Sequence, residues 1–366
     1  MSTHNQIAAV GLSLLRRSLE SDPNTPDTPQ GSTVTFRPLT WGLILLVTII
    51  FAPAYFFVSY SVKSVYTTLA IVENPTPAAY EAVANDETDA APAAVPNADG
   101  IDEEASAAGP AKPITASLRR TYKYLRAANG WRGNYRGFFL AVLILILTSV
   151  GTAVVAAFPF VPVVVASLVV SLALVQLQAA WVHTVIRAKP SSTPIFRNLP
   201  PFRRTFEATA VPTFLLWAAN STIALVSMPL TRALQLMRPN VLPEFTGALV
   251  WKTAVVLLVA VGLVFVFVLP ATVVLVRVQA SLLPPDEDAV VPFDRSFNGT
   301  VEPAVVGGRT YVTVKDAFRS FSRASWKRVA ILYIKLHLLT VLVNVLYFAA
   351  MIPIVLLGAR KTDPVV

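Results

Sequence analysis

The chain has 366 residues, 54% of them hydrophobic and only 14% charged, with a formal net charge of +9 and no cysteine. Soluble domains carry about 25% charged residues, so this balance excludes an ordinary soluble domain and points to a membrane protein. The missing thiols exclude disulfides, thiolate metal sites and cysteine nucleophiles, and the basic excess flanks apolar runs, which is a topology signal rather than a nucleic-acid footprint.

In chain order, residues 1–37 read as a mobile polar tail, with a short amphipathic stretch from Ile7 to Leu19 that carries Arg16 and Arg17. Residues 38–62 hold no charge, place Trp41 and Tyr60 near the two ends and contain Pro53. A bilayer core of about 30 Å takes about 20 apolar residues in a helix, and rings at the ends suit the interface, so this is the first span. Residues 63–112 change character: nine acids and much Ala and Pro read as a disordered acidic linker that cannot bury enough apolar surface to order itself. Residues 113–130 restore a helical period. Ile114, Leu118, Tyr122 and Leu125 share one face, Arg119, Arg120, Lys123 and Arg126 take the others, and Gly130 ends the helix. Such a helix lies at a membrane interface with its basic side toward anionic headgroups.

From Gly137 to Ile186 no Asp, Glu, Lys or Arg occurs. The prolines at Pro159 and Pro162 break this run into a hairpin of two spans, 137–157 and 162–184. A basic loop (185–207) with Arg187, Lys189, Arg197, Arg203 and Arg204 leads to a fourth span, 208–231, which contains Pro212, Asn220 and Pro229. A short loop (232–252) precedes a fifth span, 253–276. The loop 277–328 begins acidic (Asp286, Glu287, Asp288) and ends in an amphipathic helix, with Val314, Phe318, Phe321 and Ser325 on one face and Lys315, Arg319 and Arg323 on another. The sixth span, 333–358, carries Lys335, His337 and Asn344, and a short tail (359–366) closes the chain. The fold class expected is therefore all-α: an integral membrane protein of six transmembrane helices with interfacial amphipathic helices.

Loops 63–136, 187–207 and 277–328 contain eight, five and eight Lys and Arg, against three, none, three and two in the N-terminal tail, the hairpin turn, 232–252 and the C-terminal tail. Twenty-one against eight places the three long loops on the cytoplasmic or matrix side and both termini opposite. On that topology the sequon at Asn298 stays unmodified. The hexapeptides Leu174-Val175-Gln176-Leu177-Gln178-Ala179 and Leu275-Val276-Arg277-Val278-Gln279-Ala280 close the third and fifth spans, and each is followed by a loop and a Phe-Arg start at Phe202-Arg203 and Phe318-Arg319. The order of span, loop, basic helix and span recurs in the first unit, so the chain reads as a pseudo-threefold repeat of two-span units.

Three such units with helices in the odd-to-even loops resemble the mitochondrial carrier family over residues 38–358. The sharpest local match is Asn129-Gly130-Trp131-Arg132-Gly133-Asn134-Tyr135-Arg136-Gly137, which fits that family's loop motif except that Asn129 replaces an acid. The resemblance implies a mitochondrial membrane and an anionic lipid such as cardiolipin held at Tyr135, Arg136 and Gly137, where free backbone donors and a guanidinium suit a phosphate. The departures are in the gate. Pro53 and Pro270 lack the acid and base that follow proline in the family, and the third span has no such proline. The chain also resembles fungal multi-pass proteins labelled ubiquitin carrier or conjugating proteins, but without cysteine no thioester can form.

Polar groups within spans default to functional candidates. Here they are Asn220, Lys335, His337 and Asn344, the groups that could line a central cavity. No nucleophile–base pair, phosphate loop or histidine cluster is apparent, so neither an enzyme nor a metal or other cofactor is expected. Two functions fit: solute transport along a central axis, or a non-transporting scaffold whose charged loops dock soluble partner proteins.

Overall fold

A computed structural model describes residues 34–36, 38–74, 113–188, 199–236, 246–284, 287–297, 299, 301 and 311–361. Most of the N-terminal tail, residues 75–112 of the acidic segment and the Asn298 sequon lie outside them.

Among the described residues the protein is a helical membrane bundle. The helices are α1 (Pro38–Val72), α2 (Leu118–Asn129), α3 (Phe138–Ala156), α4 (Val163–Ala173), α5 (Val175–Ile186), α6 (Phe202–Ala233), α7 (Gly247–Ser281), α8 (Val314–Arg319) and α9 (Arg323–Gly358). Five are long and apolar enough to cross a bilayer, and the pair α4–α5, bent by 58°, brings the number to six where it is counted as one broken span. The only strands described are the three-residue segments β1 (Val34–Phe36) and β2 (Ala359–Lys361), paired antiparallel beside the start of α1 and the end of α9. There Gly358 lies directly against Thr40, leaving no space for a Cβ, so the two helix ends approach backbone to side chain.

Four spans depart from their expected bounds and a fifth is broken; α7 runs from Gly247 to Ser281 rather than over 253–276. α1 runs to Val72, ten residues past the expected end at Val62, so residues 63–72 are helix rather than acidic linker. Composition over a long window blurred this boundary: Val62, Val65, Tyr66, Leu69 and Ile71 form a buried apolar surface before the acids begin, and Lys63 remains exposed. The third span is broken at Leu174, where the backbone leaves helical geometry (φ −95°, ψ 9°). Gln178 donates its side-chain amide to the Ser171 carbonyl across that break, a side-chain insertion of the kind that bends helices. α6 and α9 begin six and ten residues before the expected spans, at Phe202 and Arg323. The amphipathic segment of the last loop is not one helix: α8 stops at Arg319 and α9 begins at Arg323. Phe321 and Ser325 are buried, while Phe318 stays half exposed.

The core sits at one end of the bundle. The C-terminal ends of α1, α5 and α7 pack against one another. Leu69, Val185, Ile186 and Val273 at this junction are fully buried. Toward the other end, the first half of α1, the middle of α3 and α9 and most of α7 up to Val268 expose their apolar side chains, as surfaces solvated by lipid do.

Candidate functional site

Most of the buried polar side chains among the described residues gather where the three odd-numbered spans end, on the side of the long basic loops. Glu73, the residue after α1, is 2% exposed. Its carboxylate accepts the backbone N–H of Ile114 at 2.5 Å and of Thr115 at 3.0 Å, together with the Thr115 hydroxyl. It also pairs with Arg328 of α9 at 3.1 Å. Arg328 donates further to the carbonyls of Ala70 (2.9 Å) and Glu73 (2.7 Å), the last turn of α1. A cation at a helix C-terminus complements the carbonyls left without intrahelical partners there. One carboxylate thus ties the first span, the amphipathic segment and the sixth span together.

The end of α5 is closed in the same manner from the turn that precedes α3. The Arg136 guanidinium donates to the carbonyls of Val185 (3.3 Å), Arg187 and Ala188 (3.1 Å). The Arg136 carbonyl accepts from the Tyr60 hydroxyl, which in turn accepts Trp181 Nε1–H at 3.2 Å, a relay from the third span through the first to the second. Arg187 pairs with Glu287, and His183 Nε2 lies 2.9 Å from the Gln279 carbonyl. Backbone pairing completes the closure: Ala188 N–H donates to Asp288 (2.7 Å), Val290 N–H to Ile186 (2.8 Å) and Asn74 N–H to Pro292 (2.9 Å). The segment 287–292 is therefore laced to the exits of both other odd spans, and Tyr124 of α2 donates to the Val290 carbonyl at 2.8 Å.

The three units share one further contact. Gln176 and Arg277, the third residues of the two matching hexapeptides, reach Pro200 O (2.7 Å) and Ser320 Oγ (2.8 Å), just before α6 and α9 begin. In the first unit Tyr66 donates to Asn134 Oδ1 at 2.7 Å, just before α3. In each unit, then, the odd span holds the lead-in to the even span that follows it. Arg277 also lies between the rings of Phe297 and Phe321, 4.8 and 5.1 Å from their centroids. It borders a small polar cavity of about 100 Å³ with Glu73, Asp294, Ser320, Ser322 and Ser325.

The residues anticipated from sequence divide clearly. Tyr135, Arg136 and Gly137 come together, but the guanidinium is buried and its contacts are carbonyls of the α5 exit. Tyr135 is half-buried and stacks on Phe56 (5.6 Å). Gly137 takes φ +70° and faces Trp181, and a Cβ on Gly133 would sit 2.2 Å from the Leu125 carbonyl oxygen. Gly133 and Gly137 thus serve close approach to the backbone, while Gly130 takes φ +65° with open space beside it. Asn220 lies on α6, and Lys335, His337 and Asn344 lie on α9. Asn220 and Lys335 are exposed. Asn220 and Asn344 donate to Leu216 and Thr340 on their own helices, both at 2.9 Å, and His337 Nδ1 sits 2.7 Å from the Tyr333 carbonyl. Sequence reasoning missed Glu73, Arg328 and Glu287. The available signal was a charge placed within a turn or two of an apolar run, which acid and base counts over whole loops had averaged away.

Comparison with known protein families, curated proteins and solved structures returns no match.

Proposed function

We propose that this multi-pass membrane protein is a non-transporting scaffold, built on a three-unit plan, whose charged loops dock soluble partners. The observation that carries this reading is the closure of the odd-span exits by backbone pairing and buried ion pairs, while Asn220, His337 and Asn344 hydrogen-bond within their own helices and Lys335 is exposed. A transport path needs polar groups that face one another across an axis and a closure that can reopen. Buried pairs interlocked with strand-like backbone hydrogen bonds make a costly gate. The acidic run in 75–112 and the exposed Arg119, Arg120, Lys123 and Arg126 of α2, close to it in sequence, carry opposite charges that would suit a soluble partner. Such charges act chiefly on specificity and association rate.

Solute transport is the second reading. It is favoured by the convergence of α1, α5 and α7 at one end, as expected of a carrier-like bundle closed on that side, and the same resemblance implies a mitochondrial membrane. Reconstitution into liposomes with a panel of labelled solutes separates the two. The scaffold reading expects uptake no greater than in protein-free vesicles. Saturable flux that is abolished by Lys335→Gln or Asn220→Leu would overturn it. In cells, replacing 75–112 by a neutral Gly/Ser linker should remove the partners cross-linked to the loops while leaving the helical bundle intact.

A further inference from the structure

A lateral groove of about 580 Å³ opens between α6 and α7 and is roofed by α8. Its walls are apolar. Leu215 and Phe267 stand at the sides, and Ala218, Ala219 and Ala271 form a floor whose small side chains leave the space unfilled. The one floor hydroxyl, on Thr222, is spent on the Ala218 carbonyl at 2.9 Å. The α7 wall includes a π-helical stretch, Val264–Val268, that ends two residues before Pro270, and Val266 and Phe267 of that stretch line the groove. At the mouth stand Lys315 and Arg319, one turn apart on α8, both exposed and neither hydrogen-bonded nor ion-paired to another described residue.

We infer that this groove binds one anionic phospholipid from the leaflet on the basic-loop side, with an acyl chain between α6 and α7 and the headgroup phosphate on Lys315 and Arg319. The reasoning is one of complementarity. The groove lies within the spans, so hydrocarbon is what fills it. An unfilled apolar slot would forfeit dispersion contacts along its walls. Two cations over its open end, at the level where helices meet the interface, favour a negative headgroup over a zwitterionic one, because each basic residue near the surface is attracted to anionic lipid. Arg319 adds a planar fork that matches phosphate oxygens in pairs. The site is separate from Tyr135, Arg136 and Gly137 and does not depend on whether the protein transports a solute.

The test is native mass spectrometry of the full-length protein in detergent, titrated with phosphatidylglycerol or with phosphatidylcholine of the same acyl chains. Wild type should retain one phosphatidylglycerol in preference to phosphatidylcholine. Lys315→Gln/Arg319→Gln should weaken that binding by about thirtyfold, the combined effect of two basic residues, and Lys63→Gln should leave it unchanged. Ala218→Phe, which fills the floor, should weaken both lipids. Equal retention of the two lipids by wild type, or full preference in the double variant, would overturn the proposal. So would competition by glycerol phosphate as strong as that by the intact lipid, because the chain would then contribute nothing.

Discussion

The two halves of α1 show the protein's organisation within a single helix. From Pro38 to Tyr55 it is composed of apolar residues, and nearly all of them are exposed: Leu39, Trp41, Leu45, Ile49 and Ile50 are each more than half accessible. From Val58 to Glu73 the composition is more polar, with Tyr60, Ser61, Lys63, Thr67, Thr68 and Glu73, yet that half is buried almost throughout. In water the pattern would be inverted. In lipid an apolar side chain gains little by leaving the surrounding hydrocarbon, whereas a polar group gains a partner by being enclosed in protein. The end at the odd-span exits is therefore where specific side-chain interactions fix the structure, and the opposite half is an apolar surface fitted to a solvent.

That contrast predicts where substitutions matter. The largest effect should come from Glu73→Ala, because Arg328, with 9% of its side chain exposed, would be left without its counter-charge. Breaking a buried pair by removing one partner costs about 3–5 kcal/mol, and the N–H groups of Ile114 and Thr115 would lose their acceptor as well. The expected outcome in a denaturant titration of the detergent-solubilised protein is a midpoint far below wild type. Glu73→Gln/Arg328→Met should recover much of the loss, since neither partner then carries a buried charge and the new amide oxygen can still accept from Ile114 or Thr115. Next in size is Arg136→Lys. A single ammonium cannot reproduce a fork that reaches three carbonyls, and hydrogen bonds to charged groups are each worth about 1.5–3 kcal/mol. A loss of about 2–3 kcal/mol by the same titration is expected, with faster protease cleavage in 187–200 as a local readout. If Arg136→Lys leaves both unchanged, the guanidinium does not serve to close the end of α5.

The lipid-exposed half was largely legible in the sequence, and the closed end was not. Fifty residues without charge, two prolines in the hairpin turn and the positions of Trp41 and Pro53 locate spans because one physical quantity, the cost of a charge in hydrocarbon, dominates there. The closed end depends on which charges meet. Glu73 belongs by composition to an acidic run, and nothing local reveals that its partner is Arg328, 255 positions away. Arg136 and Gly137 stand in one motif in the sequence, but nothing local to that motif reveals that the chain after α5 presents the guanidinium with the carbonyls of Val185 and Ala188. The hexapeptides carried more than was read from them. Their third residues, Gln176 and Arg277, differ in chemistry yet reach equivalent places.

Gly133→Ala should fall below these two in effect. Its Cβ would meet the Leu125 carbonyl oxygen at 2.2 Å, a backbone atom that cannot rotate aside. Forcing extra volume into a close contact costs about 1–3 kcal/mol. The change should separate α2 from the turn leading to α3, and amide exchange in 118–135 should rise while exchange in α9 does not.

The smallest effect is the one that most sharpens the contrast. Asn220 lies mid-helix in α6, exposed, with its amide donated only to Leu216 on the same helix. If that face meets lipid, Asn220→Leu removes a polar group from hydrocarbon and breaks no tertiary contact. The expected change in stability is within about 0.5 kcal/mol, as for substitutions that touch no packed feature, with any shift toward greater stability. A loss well beyond the roughly 0.6 kcal/mol typical of an interhelical hydrogen bond in membranes would mean that Asn220 meets another helix, most simply in a second copy of the chain. Cross-linking from position 220 would then decide whether that contact exists. The same variant tests the solute path: retained stability with lost uptake would assign Asn220 to a cavity. Retained stability without any uptake to lose is the outcome expected of a helix face whose function is to sit in the bilayer.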